Sequence, residues 1–215
     1  DDDDKMSNAL SRLLEEDPTL RLEKNAETHE TLLSGIGETH LEVIAERFKN
    51  KFGVEVVLKP AQIPYRETIK KKVEVQGKHK KQSGGAGQYG DVWLRIEPYE
   101  EDDFLFAEEV FGGAVPKNYF PAVEKGVREA MSQGILAGYP LGNIKVTLYD
   151  GSYHPVDSNE MAFKIAASTG FKKGAEQASP VLLEPIMDMR ITVPDAYMGD
   201  VMGDINARRG QIAGT

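Results

Sequence analysis

The sequence predicts an α+β protein of more than one domain. Alternating apolar runs such as Val92-Leu94-Ile96 and Ile144-Val146-Leu148 read as half-buried strands. Other apolar sets, such as Leu41, Ile44, Ala45, Phe48 and Phe52, fall at helical spacing. The chain's 215 residues are enough for more than one compact core.

Ser7 is placed to cap a short helix carrying Leu10, Leu13 and Leu14, stopped near Pro18. An extended segment with Leu20 and Leu22 follows, then a second near 31–34. Gly35 to Gly37 turns the chain into the amphipathic helix that ends at Gly53, and Val54 to Leu58 reads as a strand. Helix, strand, strand, helix, strand is a split βαβ order without its first strand, which implies truncation. A second region begins after Pro64. Val73 and Val75 mark one strand and Asp91 to Glu97 another. Pro121 suits the first turn of a helix bearing Val123, Val127, Ala130 and Met131. After the strand Asn143 to Tyr149, Asp157 and Glu160 read as a capping box for a helix with Met161, Ile165 and Ala166. A third region starts near Pro180, with Met187, Met189, Ile191 and Val193 on one strand face. A helix with Met198, Val201, Met202 and Ile205 follows, and Gln211 to Ala213 opens another strand. Such a start cannot bury its own apolar faces, so half a domain is expected.

Composition excludes several classes. No apolar run is long enough to span a bilayer, nothing at the N-terminus resembles a signal peptide, and no membrane partner is expected. Without cysteine there is no disulfide, no thiolate zinc site and no thiol nucleophile; a cytoplasmic protein is the natural expectation. No His/Asp/Glu cluster has metal-ligand spacing. The net charge of −9 argues against a generic nucleic-acid binder. Asp1 to Lys5, which matches an enterokinase tag, contributes −3 of it. Against that acidity, six lysines between Lys70 and Lys81 face only Glu74, a basic extremity that would steer itself toward RNA.

The most informative stretch follows those lysines: Gly84-Gly85-Ala86-Gly87-Gln88-Tyr89-Gly90. Its glycines let backbone approach a partner closely, and Lys78, Lys80 and Lys81 attract phosphates. No G-x-x-x-x-G-K-[ST] occurs anywhere, so this is not a P-loop and no nucleotide site is expected. Some seventy residues later stands Tyr149-Asp150-Gly151-Ser152-Tyr153-His154-Pro155-Val156-Asp157-Ser158.

Together the two segments resemble the tip loops of domain IV of elongation factor G. The resemblance extends over nearly everything after Lys5. Leu13-Leu14-Glu15-Glu16-Asp17-Pro18 and Ser34-Gly35-Ile36-Gly37-Glu38-Thr39-His40-Leu41 are similar to its domain III. Pro64-Tyr65-Arg66-Glu67-Thr68-Ile69, Ala137-Gly138-Tyr139-Pro140 and Ala162-Phe163-Lys164-Ile165-Ala166 are similar to domain IV. Val181-Leu182-Leu183-Glu184-Pro185-Ile186-Met187 and Arg208-Arg209-Gly210 resemble the start of domain V. The resemblance implies a ferredoxin-like domain III over 6–65 and an elongated α+β domain IV with a left-handed βαβ crossover over 66–180. It also implies a partial ferredoxin-like domain V over 181–215. Ala86, Pro155, Asp91 and Thr39 depart from the family's commoner residues.

By the same resemblance the chain is the C-terminal region of a ribosomal translocase, a monomer with no cofactor of its own. GTP and magnesium belong to the GTPase domain of the full-length protein. The implied partner is the ribosome, through ribosomal RNA and the tRNA–mRNA pair in the decoding region, with ribosome recycling a role of related forms. His154, Ser83, Gly84, Gly85, Gly87, Gln88, Lys78, Lys80 and Lys81 are the implied contacts, with no catalytic residue. Gln88 has donors and acceptors for ribose and base edges, and an imidazole at 154 can bond ribose or phosphate. Arg208 and Arg209 suit a helix C-terminus or an RNA contact equally. A ribosomal protection-type paralogue and an autonomous RNA-binding module are the alternatives. A hydrolase using Asp150, Asp157 and Glu160 has only loop carboxylates behind it.

Overall fold

The computed structural model describes residues 2–82, 84–85 and 87–215. They form two compact units, 1–185 and 186–215. The first unit opens with helix α1 (Asp2–Glu16), strands β1 (Arg21–Lys24) and β2 (Thr31–Ser34), and helix α2 (Glu38–Phe52). α1 already spans Ser7, so Ser7 does not cap it; Ser7 lies inside the helix, where its carbonyl accepts from Ser11 Oγ at 3.0 Å. β1 and β2 form a two-stranded antiparallel sheet. Ala9, Leu13, Leu20, Ile44 and Phe48 make the small core beside it; helical spacing predicts Leu13, Ile44 and Phe48 but not Ala9, and Leu10 and Leu14 are only partly buried. Gly53 ends α2 at φ 65°, donating to Lys49 O, while Val54 donates to Phe48 O. The expected strand Val54 to Leu58 does not form: Val54 and Val56 pack on the core, but no strand pairs with them among the described residues.

The larger part of this unit is a four-stranded sheet of β4 (Val73–Lys81), β5 (Gln88–Pro98), β7 (Ile144–Ser152) and β6 (Phe104–Glu108), in that order. β4, β5 and β7 are antiparallel neighbours, and β6 lies parallel to β7. Helix α3 (Phe120–Gln133), with Pro121 in its first turn, connects β6 to β7 as a βαβ crossover. Val75, Val92, Leu94, Ile96, Ile144, Val146 and Leu148 point into one core. Val123, Val127, Ala130 and Met131 of α3 close it, as predicted. β6 is not among the expected strands: Phe104 and Phe106 alternate inside a run whose acidity dominates its composition.

Helix α4 (Glu160–Gln177) corrects two expectations. Its buried face is Ala162, Phe163, Ala166, Ala167, Gly170, Phe171, Gly174 and Ala175, whereas Met161 is exposed. Small residues set this face because the helix backbone rests on strand backbone. A Cβ on Gly77 would overlap Ala166 O and lie 2.8 Å from Gly170 Cα. Its N-cap is Asn159, whose Oδ1 accepts from Ala162 N at 2.8 Å, not Asp157. Asp157 N is bonded instead to His154 Nδ1, and Asp157 O accepts from Tyr89 N.

Strand β3 (Arg66–Ile69) pairs antiparallel with β8 (Pro180–Leu183). Within β3, Glu67 is 0% exposed. Its carboxylate accepts from the backbone N–H of Ile135 (2.6 Å), Leu136 (3.0 and 3.1 Å), Ala137 (2.7 Å) and Tyr139 (3.3 Å). Burial raises its pKa most strongly, but these donors together outweigh burial and hold it below the ordinary value.

The second unit holds a 3₁₀ turn (Asp195–Tyr197) and helix α5 (Met198–Ala207). Arg208 Nε bonds Asp204 Oδ2 at 2.9 Å, and Gly210 N donates to Ile205 O. Neither Met187 to Val193 nor Gln211 to Ala213 forms a strand; no partner strand stands beside either among the described residues.

Candidate nucleic-acid interface at one end of the sheet

β4 ends at Lys81 opposite Gln88, and β7 ends at Ser152 opposite Asp91. The loop 82–87 and the loop 153–159 therefore leave the sheet at the same end. They also touch. A Cβ on Gly87 would meet the Asp157 carboxylate at 2.7 Å, so a larger residue there would displace that side chain. Gly84, at φ 49°, and Gly85 are exposed. Ser83 and Ala86 lie outside the described residues.

His154 is held by its own loop. Nδ1 accepts from Val156 N (3.3 Å) and Asp157 N (3.1 Å), so the ring proton sits on Nε2. In that tautomer Nδ1 has nothing to give Asp157 Oδ2, which lies 3.6 Å away, beyond hydrogen-bond reach. The side chain remains 51% exposed and offers a directed Nε2–H donor. Ser158 braces the loop: its Oγ accepts from His154 N (2.9 Å) and donates to Tyr89 O (2.8 Å). Tyr119 OH donates to Ser158 O at 3.1 Å.

Beneath the loops runs a polar chain that sequence reasoning did not find. Gln76 Nε2 donates to Asp91 Oδ1 (2.8 Å) and Ser152 Oγ donates to Asp91 Oδ2 (2.6 Å). Ser152 having spent its proton, Tyr89 OH donates to Ser152 Oγ at 2.7 Å. Three strands are thus tied together under the tip, and Asp91, 6% exposed, has both oxygens occupied. The one local signal was a polar residue, Asp91, opening a run of strand alternation.

Gln88 is less free than its chemistry suggested. Its Oε1 accepts from His79 Nε2 at 2.7 Å, so one of its acceptor lone pairs is already taken. The lysines divide. Lys78, Lys80 and Lys81 are exposed near the end of β4 beside the tip, with Lys78 Nζ 5.5 Å from the Tyr89 ring centre. None of the three makes an ion pair among the described residues. Lys70, Lys71 and Lys72 stand at the opposite end of that nine-residue strand, roughly 27 Å away by strand rise. The run from Lys70 to Lys81 is therefore two patches, not one strip.

A third histidine, His40, is structural. His40 Nε2 donates to Asp17 Oδ2 at 2.7 Å and Nδ1 accepts from Ile36 N. The Thr19 hydroxyl first, then His40, hold the Asp17 carboxyl down to about 2. Among the described residues no group of three or more His, Asp or Glu is arranged to hold a metal ion, and no helix is long and apolar enough to cross a membrane.

The family model for elongation factor G domain IV matches residues 61–179. Those for domain III and for the elongation factor G C-terminus match residues 1–60 and 181–215. A crystal structure of a protein from Thermus thermophilus is 49% identical, with a TM-score of 0.83, over 99% of this chain and 32% of that one. The chain thus spans 32% of that relative's length. With residues 61–179 in the domain IV match alone, and the α+β order and sheet-end loops in place, the chain belongs to the elongation factor G family of translation factors.

Proposed function

We propose that residues 6–65, 66–180 and 181–215 act as successive domains of a ribosomal translocase. In this reading the sheet-end loops enter the decoding region and displace the tRNA–mRNA pair. GTP, with magnesium, is hydrolysed by a domain outside this chain, and the monomeric, cytoplasmic factor converts that step into movement. His154 carries the reading: a donor aimed outward by its own loop, at the end of the sheet where exposed lysines gather, suits ribose or phosphate oxygen. The lysines supply attraction and His154 supplies a directed bond. Binding free energy spent at the tip acts on the tRNA rather than on the nucleotide.

In a full-length factor carrying this region, His154→Ala is therefore expected to slow mRNA movement by about tenfold or more, the scale of a lost charge-assisted bond. Ribosome-stimulated phosphate release should stay near normal. Parallel stopped-flow measurements of the two steps decide it; equal loss of both would move His154 out of the tip's role.

A further inference from the structure

The segment 109–119, between β6 and α3, enters the interface described above only through the Tyr119 hydroxyl on Ser158. It leaves the sheet where Glu108 pairs with Leu148 on the parallel strand β7. β6 and β7 run the same way, so this segment emerges at the same sheet end as the loops 82–87 and 153–159. Glu109 N still donates to Leu148 O at 2.8 Å. Val115 is 1% exposed and sits against Gly151, where a Cβ would meet Val115 Cγ2 at 2.6 Å. The Tyr119 ring stacks on Phe163 at 4.6 Å while its hydroxyl holds Ser158 O. Both ends of the segment are thereby fastened to β7 and to the loop that carries His154.

At its apex Phe111 is 92% exposed. Gly112 and Gly113 follow at φ 65° and 72°, and Ala114 N donates to Phe111 O at 3.3 Å. Two successive residues in the left-handed region define a tight turn, which leaves the phenyl ring on the outside. A lone exposed apolar side chain needs no explanation elsewhere on a surface. This one shares its sheet end with a directed imidazole donor and three exposed lysines.

We propose that Phe111 stacks on an unpaired RNA base, making the segment 109–119 a third contact element of the tip. The proposal rests on the ribosomal reading above. Charge favours a base over a phosphate: Glu108 is exposed, Glu109 is committed to Arg95 at 2.9 Å, and Lys117 is the segment's only cation. A segment of that balance has no net positive charge to draw a phosphate, whereas an aromatic face accepts any base. Within the segment, Val110 and Val115 turn inward to the core and leave a single exposed ring, which suits one planar base better than an extended apolar pocket.

The test compares Phe111→Ala, Phe111→Leu and Phe111→Trp in this chain for binding to ribosomes programmed with mRNA and tRNA, across a salt series. Alanine and leucine are expected to weaken binding about tenfold at every salt concentration, and tryptophan to preserve it. The logarithmic salt slope should not move, because no phosphate charge is neutralised by a phenyl ring. Leucine binding as well as phenylalanine would overturn stacking, and so would an unaffected alanine variant. A benzophenone side chain placed at position 111 should crosslink to RNA; a crosslink to a ribosomal protein would overturn the assignment. The Lys78, Lys80 and Lys81 triple variant keeps the two readings apart. If it flattens the slope while Phe111→Ala is silent, this proposal alone fails. If the unaltered chain binds ribosomes at no salt concentration, the ribosomal reading fails and this one with it.

Discussion

Glu67 is the residue on which the base of the four-stranded region depends. Five hydrogen bonds from the N–H groups of Ile135, Leu136, Ala137 and Tyr139 converge on one carboxylate that water does not reach. Glu67→Gln puts an NH₂ group against N–H donors. It is expected to lose roughly 2–3 kcal/mol at pH 7, the scale for orphaning buried polar groups. The folded carboxyl lies below its ordinary value of 4.5. Its contribution is therefore complete above that value and is lost as pH falls through the lower folded one. Urea midpoints of the two proteins should converge as pH falls below the ordinary carboxylate value and through the lower folded one. A gap as wide in acid as at pH 7 would mean that the charge on Glu67 contributes nothing. Asp17 adds a second acid-sensitive contact in the same direction, retained above the ordinary 3.8 and lost toward about 2.

Single strands and helices bear the tip's charge and closeness. Replacing Lys78, Lys80 and Lys81 by Ala should flatten the salt dependence of ribosome binding by about one unit of logarithmic slope for each phosphate no longer neutralised. The same change at Lys70, Lys71 and Lys72 should leave the slope alone, because those side chains stand at the far end of β4. Neither triple variant should shift the thermal melt by more than about a degree or two, since exposed lysines contribute little to stability. Equal slopes for the two variants would dissolve the distinction between the patches. Gly77→Ala is the opposite case: its methyl group would overlap Ala166 O. A loss of at least about 2 kcal/mol is expected, read from the fluorescence of Trp93, the chain's only tryptophan.

How far these elements could be read beforehand varied with how local their causes are. β5, β7 and α3 are legible because alternation or helical spacing alone decides which side faces the core. β6 is not, since Phe104 and Phe106 stand among Glu100, Glu101, Asp102, Asp103, Glu108 and Glu109, and charge masks a five-residue alternation. The sequence places α4 but misassigns its face: Met161 and Ile165 outweigh alanine and glycine in any apolarity count, while contact with Gly77 selects small residues. Met187 to Val193 has the alternation of a strand, yet pairing is supplied by a neighbour and not by the segment. At the interface, His154 and the lysines are legible from their residue types. The Gln76–Asp91–Ser152–Tyr89 chain is not, because its partners meet across 15 and 61 residues of sequence.

For the molecule as a whole, the absence of a phosphate-cradling motif from the sequence has a direct test. Calorimetry of this chain with GTP and magnesium is expected to give no saturable isotherm, while the full-length factor should bind. A micromolar isotherm from the chain itself would overturn the assignment of its domains.

The chain of bonds under the tip has a mechanical consequence. In an antiparallel sheet the backbone hydrogen bonds lie across the strands, so lengthwise slip of one neighbour past another loads the whole ladder together. Gln76, Asp91, Ser152 and Tyr89 are cross-braces set across that direction of slip, joining β4 to β5 and β5 to β7 just below the loops. Push on His154 along the strands and the thrust passes through Ser158 into Tyr89, and from there into all three strands at once. The tip is then a strut whose end does not splay under compression, which is what the proposed entry into the decoding region would demand of it.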